Sequence, residues 1–161
     1  MKNGWKDMTI GQLVGRGAGN LTPSAYPHEV FEYHSIPAYR ETGKPTEEIG
    51  TNIRSQKQVV EHVTVLFGKL NPRVEKVWLV DSRSPLRKIA STEWISVPVR
   101  PNLANPYFVY YLFWSDQVMP LAKGLVAGST PSRQRVDPKS FFEIPVVFPS
   151  LPEQKKIAAA L

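Results

Sequence analysis

The sequence predicts a mixed α/β domain with a mixed, mostly antiparallel β-sheet and short helices. Three observations carry that expectation. The 15 prolines and 10 glycines are scattered along the 161 residues, so elements are short and turns frequent. Several β-rich runs of about five residues are separated by turn residues. Helix starts are marked by an Asn or Asp followed directly by proline, at Asn105-Pro106 and Asp137-Pro138.

Taken in order, residues 5–14 read as a short strand or turn with Trp5, Ile10 and Leu13 as buried anchors. Residues 15–27 hold Gly15, Gly17, Gly19, Pro23 and Pro27 and are expected to be a loop. Val30, Phe31, Tyr33 and Ile36 make residues 30–36 a strand, ended by Pro37. Residues 40–50 are polar, contain Gly43, Pro45 and Gly50, and read as an exposed loop. Residues 63–67 and 76–80 form the clearest strand pair, joined through Asn71-Pro72. Residues 95–99 alternate again, and Pro98 makes them an edge strand.

The helix capped by Asn105 places Val109, Leu112, Phe113 and Val118 on one face, and Pro120 starts a second piece toward Lys123. Residues 124–131 are a loop, Asp137-Pro138 opens a helical turn, and residues 144–148 form a strand closed by Pro149. A last helix opens at Pro152. Its Ile157, Ala158 and Leu161 keep a helical stripe that expects a partner helix.

Composition excludes several classes of function. There is no cysteine, hence no disulfide, thiolate zinc site or cysteine nucleophile, which suits the cytoplasm. Residues 1–10 contain no signal-peptide core, and the most apolar stretch, 106–114, is too short to span a membrane. The 14 acidic residues form no nuclease-like cluster, and His28, His34 and His62 lack metal-ligand spacing. No glycine-rich turn follows a strand to hold S-adenosylmethionine, and no Gly-rich Lys-Ser/Thr loop exists for ATP. Asn105-Pro106-Tyr107-Phe108 lacks the second proline of the adenine-methyltransferase Asn-Pro-Pro-Tyr loop. The expectation is a non-enzyme with no catalytic residue, cofactor or metal. A net charge of +6 and a pI near 9.6 favour a polyanionic partner.

Motifs in the second half occur in a telling order. Val65-Leu66-Phe67-Gly68-Lys69-Leu70-Asn71-Pro72-Arg73 resembles the "VLFSKINPR" segment of type I restriction–modification DNA specificity (S) subunits. Ala90-Ser91-Thr92-Glu93-Trp94-Ile95 resembles their "ASTEF" segment, and Asn105-Pro106-Tyr107-Phe108-Val109-Tyr110-Tyr111-Leu112 their "PEYLYYYL" helix. The run from Gly128 through Arg133, Gln134, Arg135 and Val136 is similar to "GTSGSRQRV". The run from Ile144 through Pro149, Leu151, Pro152, Glu153, Gln154 and Ile157 is similar to "IPLPPLPEQKRI". Tyr33-His34-Ser35-Ile36-Pro37 resembles the family's opening strand.

The resemblance implies one target-recognition domain over residues 1–150 and the start of a coiled-coil spacer helix over 151–161. A full subunit of that family carries two such domains, each reading half of a bipartite site in double-stranded DNA. It recruits adenine-N6 methyltransferase subunits and, through the complex, an ATP-dependent restriction (translocase and nuclease) subunit. A fragment of such a subunit and a half-length subunit that forms a homodimer, or pairs with a second half-subunit, are both compatible with the chain. A generic basic nucleic-acid or protein-interaction module without sequence specificity is the competing reading.

For a DNA reader, the polar loops supply the candidates. Arg54, Gln56 and Lys57 form one group, and Arg133, Gln134 and Arg135 a second, with arginine suited to guanine and glutamine to adenine. Lys57, Lys69 and Arg73 are expected to hold phosphates, while Arg133 and Arg135 suit phosphate or structural roles. Arg83, Arg87 and Lys88 give the most basic of the segments without family resemblance, where base readers are expected, together with residues 15–27 and 38–53.

Overall fold

A computed structural model describes residues 4–127, 130 and 133–161. Its centre is the apolar run read from sequence. β6 (Thr64–Gly68) lies between β7 (Val77–Val80) and β9 (Trp94–Pro98), antiparallel to both. All five β6 residues are buried, because both faces of this sheet are covered. Side chains alternate across a strand. Val65 and Phe67, with Val77, Ile95 and Val97, therefore face one core, and Leu66, with Trp78, Val80 and Trp94, faces another. β9 is an edge strand and Pro98 sits in it, as expected.

The first core is closed by helices. α3 (Pro106–Trp114) starts where predicted: Asn105 Oδ1 accepts the backbone N–H groups of Tyr107 and Phe108. Val109, Leu112, Phe113 and Val118 are buried, although Val118 lies beyond α3 as the N-cap of α4 (Met119–Gly124). α1 (Ile10–Leu13) contributes Ile10 and Leu13, and α5 (Pro138–Phe142), capped by Asp137, contributes Phe141. Phe141 packs on Phe67 and Phe113, with ring centroids 4.7 and 5.5 Å away. β1 (Lys6–Thr9) and β12 (Pro145–Phe148) pair antiparallel, tying the beginning of the chain to its end.

The second face is covered by a five-stranded sheet in the order β2-β5-β8-β3-β4. These strands are β2 (Asn20–Leu21), β5 (Lys57–Val60), β8 (Lys88–Ala90), β3 (Val30–His34) and β4 (Thr46–Ile49). β3 and β8 are parallel and the other pairs antiparallel, so the predicted mixed, mostly antiparallel architecture is present.

Several expectations are corrected. Residues 40–50 are not a loop: they hold the end of α2 (Ile36–Glu41) and all of β4. β4 reads Thr-Glu-Glu-Ile and lies at the sheet edge, where ladder hydrogen bonds to β3 hold it without an apolar pattern. Pro37 does not end β3. The strand stops at His34, Ser35 Oγ accepts the Ala38 N–H at 3.0 Å, and Pro37 sits in the first turn of α2. Residues 15–27 include β2 and a 3₁₀ turn, Pro23–Ala25, and Trp5 is only half-buried. The 124–131 loop carries the short strand β10 (Val126–Ala127), paired with β11 (Arg135–Val136), while Gly128, Ser129, Pro131 and Ser132 lie outside the described residues.

The last helix, α6 (Leu151–Ala160), is bound to the domain through Gln154, which is fully buried. Its Nε2 donates to the carbonyls of Leu103 and Pro149, both at 2.9 Å, and its Oε1 accepts the Asn105 N–H at 2.8 Å. Ile157 and Ala158 pack against the first core rather than standing free for a partner helix, and Leu161 remains exposed.

Glu32 and His34 are buried in the five-stranded sheet, 5% and 2% exposed. Ser82 Oγ donates to Glu32 Oε1 at 2.6 Å, and the His34 ring meets Trp78 edge-on at 4.6 Å. Burial pushes the imidazole from its usual 6.5 down to about 4. The ring is therefore neutral near pH 7, and its 3.9 Å approach to Glu32 is not an ion pair there. Below pH 6.5 the unfolded chain takes up a proton that the folded chain refuses. Stability from this group is thus complete above pH 6.5 and declines as pH falls toward 4, by up to about 3 kcal/mol. Urea midpoints measured from pH 7 to 4.5 check this, and an unchanged midpoint contradicts it.

Candidate nucleic-acid interface

The connection after β6 is paired with the segment around β11. Lys69 donates its N–H to Glu93 O at 2.9 Å, Val136 donates to Lys69 O at 2.9 Å, and Asn71 donates to Gln134 O at 2.7 Å. This short ladder, with an isolated bridge between Leu70 and Arg135, brings Lys69, Arg73, Arg133, Gln134 and Arg135 to one corner of the domain. The two groups lie 60 to 66 positions apart in sequence, and only folding joins them.

A buried lysine braces that corner. Lys76 is 3% exposed, and its ammonium donates to three backbone carbonyls: Leu70 at 3.0 Å, Asn71 at 3.3 Å and Val74 at 2.6 Å. An ammonium has three hydrogens, so every one is placed. Burial lowers its pKa, and Arg40 adds to the effect. Gly68 makes room for this side chain: a Cβ there would stand 2.8 Å from Lys76 Cβ and Cε. In sequence, Lys76 is simply the first residue of a β-rich run. Nothing local distinguishes it from a solvated lysine, so its bracing role was not readable.

The cations of the corner differ in their engagement. Arg135 is half-exposed and its Nε donates to Glu93 Oε2 at 3.0 Å, which offsets part of its charge. Lys69, Arg73 and Arg133 have no ion pair among the described residues, and Arg73 and Arg133 are exposed. Gln134 is half-buried, and its backbone carbonyl holds the Asn71 turn. Beside Lys69 opens a cleft of about 310 Å³, lined among others by Asn20, Gln58, Thr92 and Trp94.

The other candidates lie elsewhere. β5 runs antiparallel to β8, with Gln58 opposite Ala90 and Val60 opposite Lys88, so Lys88 lies at the other end of β8 from the residue that faces Gln58. Arg87, next to it, is clamped: Nε and Nη2 donate to Glu29 at 3.0 and 2.7 Å, and the guanidinium lies 4.5 Å from the Tyr26 ring centroid. The Glu29 hydrogen bond and charge raise its pKa further. Lys88 Nζ donates to Ser84 O at 3.0 Å. Arg83 is exposed, as are Arg54 and Gln56.

Lys57, expected on a phosphate, is instead 7% exposed, with its ammonium on Ser55 Oγ and 5.8 Å from the Tyr33 ring centroid. Desolvation lowers its pKa, and as placed it presents little charge to the surface. The reason is positional: Lys57 begins β5, on the sheet face that also carries Tyr33 and Ile89.

Among the described residues, no group of three or more His, Asp or Glu is placed to hold a metal ion, and no helix is long and apolar enough to cross a membrane. No protein-family model matches the chain, and no curated protein sequence matches it. Solved structures do. The crystal structure of the HsdS subunit from Thermoanaerobacter tengcongensis superposes with a TM-score of 0.84 at 22% identity, over 99% of this chain and 41% of that one. This is the fold of one part of a type I HsdS specificity subunit. A structure described as underlying complex assembly and conformational transition of the type I R-M system gives 0.84 at 23% identity, over 99% and 42%. The type I restriction-modification S subunit from M. genitalium gives 0.56 at 16% identity, over 99% and 39%. The chain spans about two fifths of the length of these HsdS-type structures.

Proposed function

We propose that this chain is a target-recognition domain of a type I restriction–modification specificity subunit. It binds double-stranded DNA, reads one half of a bipartite site and positions adenine-N6 methyltransferase subunits on it, without a catalytic step of its own. The observation that carries this reading is the HsdS-like fold together with a corner where Lys69, Arg73 and Arg133 have no ion pair among the described residues. Those three cations suit phosphates, each contact releasing condensed counterions. Arg54, Gln56, Arg83 and Gln134 are the remaining accessible candidates, while Arg87, Lys88 and Arg135 are held by internal partners. The restriction subunit joins through the complex, in the cytoplasm. A second domain completes the bipartite site, supplied by the same polypeptide, by a second half-subunit or by a second copy.

Selection of randomised duplexes by the purified chain, at about 50 mM salt where phosphate contacts are strongest, followed by sequencing, tests the proposal. Enrichment of a short motif supports it. Salt-sensitive binding with no enriched motif rejects it in favour of a generic basic module.

A further inference from the structure

The cleft beside Lys69 contains two amides in a defined relation. Asn20 in β2 pairs with Gln58 in β5, so the two residues are direct cross-strand neighbours. Side chains of such a pair leave the sheet on the same face with Cβ atoms about 5 Å apart. Both line the same cleft of about 310 Å³.

Their hydrogen bonding differs. Gln58 Nε2 donates to Ser91 O at 2.9 Å and to Trp94 O at 2.7 Å, which uses both amide hydrogens. Turning the amide over would set its oxygen against two carbonyl oxygens, so its orientation is fixed. Gln58 Oε1 accepts no hydrogen bond among the described residues, and the amide offers the cleft an acceptor only. Asn20 is exposed, and its side chain makes no hydrogen bond among the described residues, so it keeps both donor and acceptor. One locked acceptor thus stands beside an amide that has no side-chain partner among the described residues, with Lys69, which has no ion pair among them, on the rim.

We infer that Asn20 and Gln58 form a base-reading site for the edge of a nucleobase that bears an exocyclic amine, with Lys69 on the adjoining phosphate. A free asparagine amide can donate to N7 of adenine in the major groove while the fixed acceptor takes the one amine hydrogen that base pairing leaves free on adenine or cytosine. A base carrying a carbonyl oxygen at that position, guanine or thymine, would face Gln58 Oε1 with like polarity. This inference rests on the DNA-recognition reading and adds the residues that discriminate.

The test compares the native chain with Asn20→Ala and Asn20→Asp by selection of randomised duplexes at about 50 mM salt. It also measures thermal midpoints and the salt slope of binding. Asn20 is exposed and its side chain makes no hydrogen bond among the described residues, so both variants are expected to fold with unchanged midpoints. The native motif is expected to hold an adenine that Asn20→Ala loses, preference there falling roughly tenfold or more while the salt slope and the other positions hold. Asn20→Asp, an acceptor only, is expected to shift that position toward cytosine. A motif that is the same in Asn20→Ala and the native chain overturns the inference and leaves the DNA-recognition reading intact. A native chain with no motif at all overturns both.

Discussion

Replacing Lys69, Arg73 and Arg133 together by alanine is expected to weaken duplex binding roughly a hundredfold at about 150 mM salt. Each phosphate contact contributes about 0.9 to the slope of log affinity against log salt, so losing three lowers the slope by about 2.7. The reasoning depends on where these side chains stand. None has an ion pair among the described residues, and Arg73 and Arg133 are exposed. Their removal should therefore leave the thermal midpoint within the small range of ordinary surface substitutions. Arg87→Ala makes the contrasting control. Its guanidinium is bound to Glu29 and stacked on Tyr26, so its loss should lower stability while the salt slope stays unchanged. Fluorescence titrations at four or five salt concentrations measure both slopes. A triple variant with the native slope would remove this corner from the DNA interface.

Trp94→Ala should be among the most destabilising single changes, at about 3–5 kcal/mol. Trp94 is 1% exposed between the two principal sheets, with Tyr39 and Trp78 ring centroids 5.4 and 5.8 Å away. Its indole N–H donates to His34 O at 3.1 Å, in a buried setting where no solvent replaces the donor. Truncation therefore opens a cavity and removes one of the two hydrogen bonds to the His34 carbonyl, which keeps the Ser91 N–H at 3.2 Å. Urea unfolding should show a lower midpoint with an unchanged m-value. A loss below about 1 kcal/mol would mean that the sheets close over the gap. The same residue supports the cleft, since its carbonyl fixes the Gln58 amide. The tryptophan was legible as part of an apolar strand, but its link to the cleft was not.

The residues that defined their own surroundings were readable. Val65, Leu66 and Phe67 form the middle strand because a β-rich run of that length has to be covered on both faces. Asn105 and Asp137 cap helices because their side chains reach N–H groups two or three residues ahead. Both are local arrangements that few tertiary contacts could change.

What tertiary structure decided was the fate of polar residues. Lys57, Lys69, Lys76 and Lys88 look alike in sequence. One lies buried against a tyrosine ring, one stands on the cleft, one braces a turn through three carbonyls, and one donates to Ser84 O. The strand β4 carries charges and no apolar pattern and is held by its hydrogen bonds to β3, while β5 and β8 bury Val60, Ile89 and Ala90 but are only four and three residues long, too short to stand out in the sequence. The sequence by itself determined the apolar centre, the starts of α3 and α5 and the basic character of the chain. Only the tertiary structure decided which cations face solvent and which amides meet in the cleft. Apolar burial follows from a residue and its near neighbours, whereas the partner of a charge or an amide is supplied by backbone brought from tens of residues away.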